Sequence, residues 1–358
     1  MRFAAPFALA ALLSLAASPA ARAAGPDRDE PMDEAIDRGL RFLDNAQNPD
    51  GSWPAGRSRR DPAITALAVM AFMSAGHVPG EGEYGETVAK GIRFVMESQR
   101  PNGLFAHNSF GPYEMYCHGI CTLALAEAAG MTRGDVADEL RRSLEKAVGV
   151  ILTAQRTSGQ NRGGWRYRVQ GNDADISVTG WQVMALRAAK NVGCDVPAER
   201  IRLAVEYIQR CRDAYSGGYR YTIGSGVTVP CTGTSILALE LCGKEYHRSP
   251  EALKAGGYLL KHRLQVNGPH FFYGVYYTSQ AMFQLGDNYW ESYRPVLHRL
   301  LLRDNAPAAN GAWSGRGWDD QTFGPTYCTA MAILALTVEY RYLPIYQRSE
   351  EPVEEAAP

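Results

Sequence analysis

A short helical phrase recurs six times along this chain, starting at Thr65, Thr122, Thr179, Thr234, Thr278 and Thr329. Each copy runs from threonine into small and apolar residues, and successive copies begin 57, 57, 55, 44 and 51 residues apart. Self-similarity at such a period marks one supersecondary unit used repeatedly, because no single unit buries its own apolar face. Ahead of each phrase lies a second helical pattern, such as Ile36, Leu40 and Leu43, or Leu140, Leu144, Val148 and Ile151. These stretches have one apolar stripe and a charged opposite face, so one side meets water. The threonine helices carry Ala, Leu, Met and Val nearly all round, which predicts burial.

Alternating half-wet and buried helices predict six helical hairpins. An open solenoid needs end units with a polar outer face. Here the first and last buried stretches, Pro62–Gly76 and Thr326–Glu339, are as apolar as those between them. The expected fold is therefore all-α: an (α/α)6 toroid over residues 33–346, with the threonine helices inside. Gly-aromatic turns separate outer from inner helix at Gly51-Ser-Trp53, Gly103-Leu-Phe105, Gly163-Gly-Trp165, Gly217-Gly-Tyr219 and Gly311-Ala-Trp313. A left-handed glycine ends a helix, and the aromatic packs the turn down. The fifth turn, Asn267-Gly268-Pro-His-Phe271, is degenerate.

Arg2, the apolar run Phe7–Leu15 and the small residues up to Ala23 have the order of a secretory signal over residues 1–23. The expectation is an exported protein, periplasmic or secreted, with no membrane span. A net charge of −1 gives no broad attraction to nucleic acid or an anionic membrane. The end of the chain, 347–358, is acidic and lacks a core-forming pattern, so it reads as a disordered tail. Seven cysteines at irregular spacing, several inside apolar helical phrases, suggest mostly buried thiols with at most one bridge.

Two stretches resemble a known motif. Arg38-Gly39-Leu-Arg-Phe42-Leu-Asp-Asn-Ala-Gln47-Asn-Pro-Asp-Gly51-Ser-Trp53 resembles the glutamine-tryptophan repeat of squalene and oxidosqualene cyclases. Lys90-Gly91-Ile-Arg-Phe94 through Gln99 and Gly103 to Phe105 follows the same pattern, with Phe in the tryptophan position. Gln155 with Trp165 and Gln209 with Tyr219 resemble weaker copies. The chain is thereby similar to exported prenyltransferase/squalene oxidase repeat proteins of the terpenoid cyclase and protein prenyltransferase superfamily. The resemblance implies an α/α toroid with its active site in the central cavity.

The same resemblance points to candidate chemistry. Class II cyclases carry Asp-x-Asp-Asp at the start of an inner helix, where the middle aspartate protonates an alkene or epoxide. Asp173 and Asp175 match the first two positions, and Ile176 stands where the last aspartate would be. Asp175 equally reads as a helix N-cap, as does Asp61 before Pro62. Asp61, His118 and Asp175 each stand four residues before a threonine, so His118 is expected beside Asp175 at one rim as a further catalytic candidate. The related prenyltransferases bind zinc through Asp, Cys and His. Cys117, His118, Cys231 and Cys328 are the candidate ligands here, although Val229-Pro230 precedes Cys231 with no aspartate two residues back. Tyr116, Trp165, Trp181, Tyr277, Trp318 and Tyr327 lie near inner-helix starts and are expected to line a ligand cavity, since aromatic faces stabilise cations. No cofactor other than zinc is suggested.

Three readings remain open on the sequence. One is a squalene cyclase-like isomerase or prenyltransferase-like transferase acting on, or binding, an isoprenoid or other apolar small molecule, with Asp175 as acid. Another is a non-catalytic exported scaffold that binds a ligand or another exported protein. The third is a glycan-active toroid, for which the loop Gly315-Arg-Gly-Trp318-Asp319-Asp320 supplies carboxylates opposite Asp173 and Asp175.

Overall fold

The structure, a computed structural model, describes residues 30–347 apart from 57, 107–112 and 267. The proposed leader, and the acidic tail beyond Gln347, lie outside the described residues. Six outer helices, α1 (Glu30–Ala46), α3 (Gly85–Glu97), α5 (Asp135–Ala154), α7 (Ala198–Arg210), α9 (Pro250–Lys261) and α11 (Asp287–Arg299), alternate with six inner ones. The inner helices are α2 (Pro62–Ser74), α4 (Glu114–Met131), α6 (Ile176–Asn191), α8 (Val229–Cys242), α10 (Phe271–Leu285) and α12 (Trp318–Leu336). Each inner helix packs on the next, and α12 returns to α2 while α1 lies on α12. The chain is thus an (α/α)6 toroid. Every residue of α2 is buried, whereas α3 buries only Gly85, Val88, Gly91, Ile92 and Val95, one helical stripe. A two-stranded hairpin, β1 (Trp53–Ala55) and β2 (Ser58–Asp61), decorates the first turn of this all-α fold.

The turn aromatics fasten each hairpin. Trp53, Trp165 and Trp313 donate their indole N–H to Leu43, Ile151 and Leu301 carbonyls at 2.7, 2.8 and 3.0 Å, near the end of the preceding outer helix. Their backbone N–H groups are carried into the core, where each needs an acceptor. Thr65, Thr179 and Thr329 Oγ1 accept them at 2.9, 3.1 and 3.0 Å. In the second hairpin the acceptor for Phe105 N is His118 Nδ1 at 3.1 Å, and in the fourth Thr232 Oγ1 accepts from Tyr219 N at 2.9 Å. Thr122 and Thr234 instead donate back to carbonyls of their own helices. The equivalent positions are therefore Thr65, His118, Thr179, Thr232 and Thr329. His118 lies one turn deeper than the rim position expected for it.

The glutamines of the repeat clamp neighbouring units. Gln47, Gln99 and Gln155 each donate through Nε2 to their own turn glycine's carbonyl at 3.0–3.1 Å. The same atoms donate to Thr87, Ser143 and Arg200 carbonyls of the next outer helix at 2.8–2.9 Å. At the seam the last turn meets the first outer helix. Gly311 adopts φ +87°, and a Cβ there would stand 2.1 Å from the Arg38 carbonyl oxygen. Opposite it, Gly39 leaves room for the Trp313 ring.

The chain closes one end of its own ring. A short 3-10 turn, Pro344–Tyr346, lies across α4 and α6. Ile345 N donates to Glu127 Oε2 at 3.1 Å, and the Tyr346 and Tyr276 hydroxyls lie 2.8 Å apart. Burial raises the Glu127 carboxyl to about 8, so it is mainly neutral at pH 7. Among the described residues no helix is long and apolar enough to cross a membrane.

Two stability outcomes follow from this packing. Gly311→Ala is expected to lower stability by more than about 1 kcal/mol, because it adds a left-handed penalty and a backbone clash at the seam. Gly149→Ala, within α5 and with open space at the Cβ position, is expected to raise it by up to about 1 kcal/mol. Equilibrium denaturant unfolding of both variants checks the pair. For Glu127 the folded value lies above the ordinary 4.5, so its contribution is complete below that pH and lost as pH rises through about 8. Glu127→Gln is expected to abolish this alkaline loss, read as unfolding midpoints measured from about pH 5 to about pH 9.

Candidate active site

At the end where the inner helices begin, the ring opens into a cavity of about 570 Å3. A space of this size buries a drug-sized ligand. Its wall is largely aromatic and aliphatic. Ile64, Leu67, Ile120 and Met331 supply the aliphatic part, and Tyr113, Tyr116, Tyr167, Trp181, Tyr221, Tyr273, Phe323 and Tyr327 supply rings. Neighbouring rings fix one another: Tyr116 stacks on Tyr167 at 5.9 Å, and Trp181 stacks on Tyr276 at 5.7 Å. Polar groups reach the wall at only a few points, among them Ser177, Thr228, Cys231, His270 and Asp319.

Asp175 stands immediately behind this wall as the N-cap of α6. It is fully buried. Its Oδ1 accepts from Val178 N at 2.9 Å and from the Ser177 hydroxyl at 2.6 Å. Ser177 Oγ in turn lies 2.5 Å from the Tyr116 hydroxyl. Asp175 Oδ2 faces Arg166 Nε at 3.0 Å, a charge contact whose alignment falls short of a hydrogen bond. The Arg166 guanidinium lies over the Tyr167 and Tyr221 rings and also contacts Asp173 at 3.6 Å. Burial raises Asp175 to about 6, opposed by Ser177, Val178 N and Arg166. The group therefore changes protonation near neutral pH.

A second polar group lies at the mouth. Gly324 breaks α12 with φ +79° ahead of Pro325, so its first turn bends away and carries Trp318, Asp319 and Asp320. Asp319 Oδ2 lies 3.3 Å from His270 Nδ1, and that bond raises the His270 pKa. Asp320 accepts from Gly317 N at 3.1 Å; burial first, then the Asp319 charge, raises it to about 6. Trp318 is 66% exposed, which makes it the lip of the opening.

The expected site residues divide into two groups. Tyr116, Trp181, Trp318 and Tyr327 line the cavity, with Cys231 beside them. Trp165 stands apart, fully buried in its turn with its indole committed to Ile151. Tyr277 lies behind the wall, edge-on to Trp181 at 5.4 Å. Asp173 is a largely exposed partner of Arg166. His118 is fully buried and committed at both ring nitrogens, to Phe105 N and to the Ala147 carbonyl at 3.0 Å, and burial lowers it to about 4.

The zinc set is not assembled. Cys117 sits 3.9 Å from Cys121, Cys328 points at the Asp320 carbonyl, and no three His, Cys, Asp or Glu side chains converge as a metal requires among the described residues. All seven cysteines are buried and unbridged. Ser177, Arg166, Tyr167, Tyr221, Tyr273 and His270 belong to the site without having been expected from sequence. Three of them, Arg166, Tyr167 and Tyr221, carry a sequence signal, because Gly-Gly-Trp165-Arg-Tyr167 and Gly-Gly-Tyr219-Arg-Tyr221 repeat one pattern.

No protein-family model matches this sequence. A drimenyl diphosphate synthase of Streptomyces showdoensis is 26% identical over 201 residues, 56% of this chain and 34% of that protein. The chain thus spans about a third of the length of that curated relative. An α-1,6-mannanase of Salegentibacter sp. HEL1_6 superposes with a TM-score of 0.66 at 12% identity, over 87% of this chain and 99% of its own. A type II terpene cyclase variant from Scytonema, holding geranylgeranyl dihydroxybenzoate as substrate, superposes at 0.55 with 16% identity, over 88% of this chain and 99% of its own. These structural likenesses establish the shared toroid.

His118→Ala is expected to cost about 2–4 kcal/mol, combining an orphaned Phe105 N–H with a small cavity. The measurement is denaturant unfolding with and without added zinc. A wild-type midpoint that rises with zinc, and a variant midpoint that does not, would restore His118 as a metal ligand.

Proposed function

We propose that this protein is a cyclase- or isomerase-type enzyme that takes an apolar isoprenoid into its ring and starts a rearrangement by protonating an alkene. Asp175 is the source of the proton. The observation that carries this reading is a fully buried carboxyl, raised to about 6, held behind an aromatic-walled cavity. An acid with a pKa near the working pH combines proton-transfer drive with a useful protonated fraction. Aromatic faces stabilise the cation that protonation creates. The end of the ring covered by Pro344–Tyr346 keeps water from that cation.

The relative's name and the substrate of the Scytonema neighbour support the same ligand class. Ile176 stands where the cyclase motif has its last aspartate, and here Ser177 and Val178 N make the hydrogen bonds to Asp175 Oδ1. The leader-like start supports action outside the cytoplasm. A glycan-active reading is favoured by one feature, the Trp318 lip beside Asp319 and Asp320, since an exposed ring next to carboxylates suits a sugar.

Lipid extraction and mass spectrometry of the purified protein, followed by incubation with farnesyl- and geranylgeranyl-chain alcohols, tests the proposal. An isoprenoid that co-purifies, or is cyclised, is the expected result. Asp175→Asn is expected to lower turnover by at least about 100-fold. Full activity in that variant removes Asp175 from the chemistry, and depolymerisation of a polysaccharide with no isoprenoid turnover moves the reading to glycans.

A further inference from the structure

We propose that the proton reaches the ligand from the Tyr116 hydroxyl, passed from Asp175 through Ser177. The inference rests on the protonation reading above and names the group that delivers the proton. Asp175 is fully buried and forms no part of the cavity wall, whereas Ser177 and Tyr116 both do. A direct transfer from Asp175 to a ligand would have to pass through occupied space. The three oxygens instead form a continuous chain, 2.6 Å from Asp175 to Ser177 and 2.5 Å from Ser177 to Tyr116. Stacking on Tyr167 holds the phenol in place.

With Asp175 ionised, Ser177 donates to the carboxylate and Tyr116 donates to Ser177. When Asp175 takes up a proton from solvent, the chain reverses. The carboxyl then donates to Ser177, Ser177 donates to Tyr116 Oη, and the phenol O–H points into the cavity. In the reacting step the alkene π pair forms a C–H bond with the Tyr116 proton as the O–H bond breaks. The Ser177 proton moves to Tyr116 Oη and the Asp175 proton moves to Ser177 Oγ. The products are a carbocation, two restored hydroxyls and a carboxylate facing Arg166. After rearrangement the cation loses a proton from an adjacent carbon to water at the mouth, so the net reaction is an isomerisation and consumes no co-reactant.

The surroundings suit this relay. Burial holds the Tyr116 phenol well above 10, so it stays protonated between turnovers. Arg166 and Tyr221 face the carboxyl directly, with Asp173 on the far side of Arg166. Tyr207, Tyr273, Cys211 and Cys231 lie within electrostatic reach, and burial raises each of them, so none ionises near pH 6. Asp175 is therefore the group in this cluster that titrates there.

The test needs no substrate at first. Tyrosine is labelled with carbon-13 at the ring carbon bearing the hydroxyl, and the Tyr116 resonance is assigned by its loss in Tyr116→Phe. The expected result is a shift of that resonance with a midpoint near pH 6, abolished by Asp175→Asn and strongly reduced by Ser177→Ala, which leaves only the through-space effect of the carboxylate. A resonance that does not titrate, or whose shift is undiminished in folded Ser177→Ala, overturns the relay. If Ser177→Ala does not fold, Asp175→Asn alone decides: a midpoint that survives it overturns the relay. Farnesyl- and geranylgeranyl-chain alcohols supply the second arm. Tyr116→Phe and Ser177→Ala are expected to lower kcat by at least about 100-fold with little change in KM, and full turnover by Tyr116→Phe overturns the relay. No turnover by the wild-type protein counts against the isoprenoid reading, while the substrate-free titration still decides the relay.

Discussion

A hairpin that buries its turn aromatic also buries that residue's backbone N–H, and the inner ring must answer each such group with an acceptor. The inner helices' own carbonyls are occupied by their helical bonds, so the acceptor has to be a side chain. It must also project at one height on the helix face. Trp53, Phe105, Trp165, Tyr219 and Trp313 are answered by Thr65, His118, Thr179, Thr232 and Thr329. A made bond of this kind contributes about 1 kcal/mol, and an unmade one costs about 1–3. The larger effect is geometric. Each bond sets the height and rotation of one inner helix against its turn, so the helix starts come level and enclose a shared mouth.

That levelling separates what the residue string discloses from what it hides. The hairpin count, the inner and outer assignment and the glycine turns are all periodic, and burial enforces them independently of local detail. The register is more fragile. Thr122 stands one helical turn after His118 and Thr234 two residues after Thr232, and each of these threonines bonds its own helix instead of the turn. His118 therefore reads as a rim residue in sequence and is a buried acceptor in the fold. Trp165 and Tyr277 fail as cavity residues for a related reason: proximity to a helix start does not say which way a ring faces. Tyr116, Trp181, Trp318 and Tyr327 do reach the cavity.

The two ends of the ring differ because the inner helices all point the same way. Their starts carry caps and loops, and there the cavity opens. At the other end Pro344–Tyr346 packs on α4 and α6, where Glu127 is the acceptor for Ile345. A neutral carboxyl suits that place, since a charge there would be buried without a cation against it. The central space is consequently a cup, and among the described residues Trp318, His270 and Asp319 stand on its wall.

Cap and the proposed acid are compatible roles for Asp175, and in this fold the bonds of the first set the terms for the second. Burying a carboxyl favours its neutral form, while cap bonds favour the ionised one. Burial alone would leave a neutral acid too weak to release its proton readily. Cap bonds and Arg166 alone, in a wetter place, would leave a carboxylate with no proton to give. Here Val178 N, Ser177 and Arg166 oppose full burial, and the balance falls near 6. The cap also fixes Oδ1 at the position from which Ser177 can reach it. Asp61 is an equally buried cap, bonded to Ala63 N and Ile64 N, so capping by itself does not mark a reactive carboxyl. What distinguishes Asp175 is that its capping oxygen is also the first atom of a hydroxyl chain ending at the cavity wall.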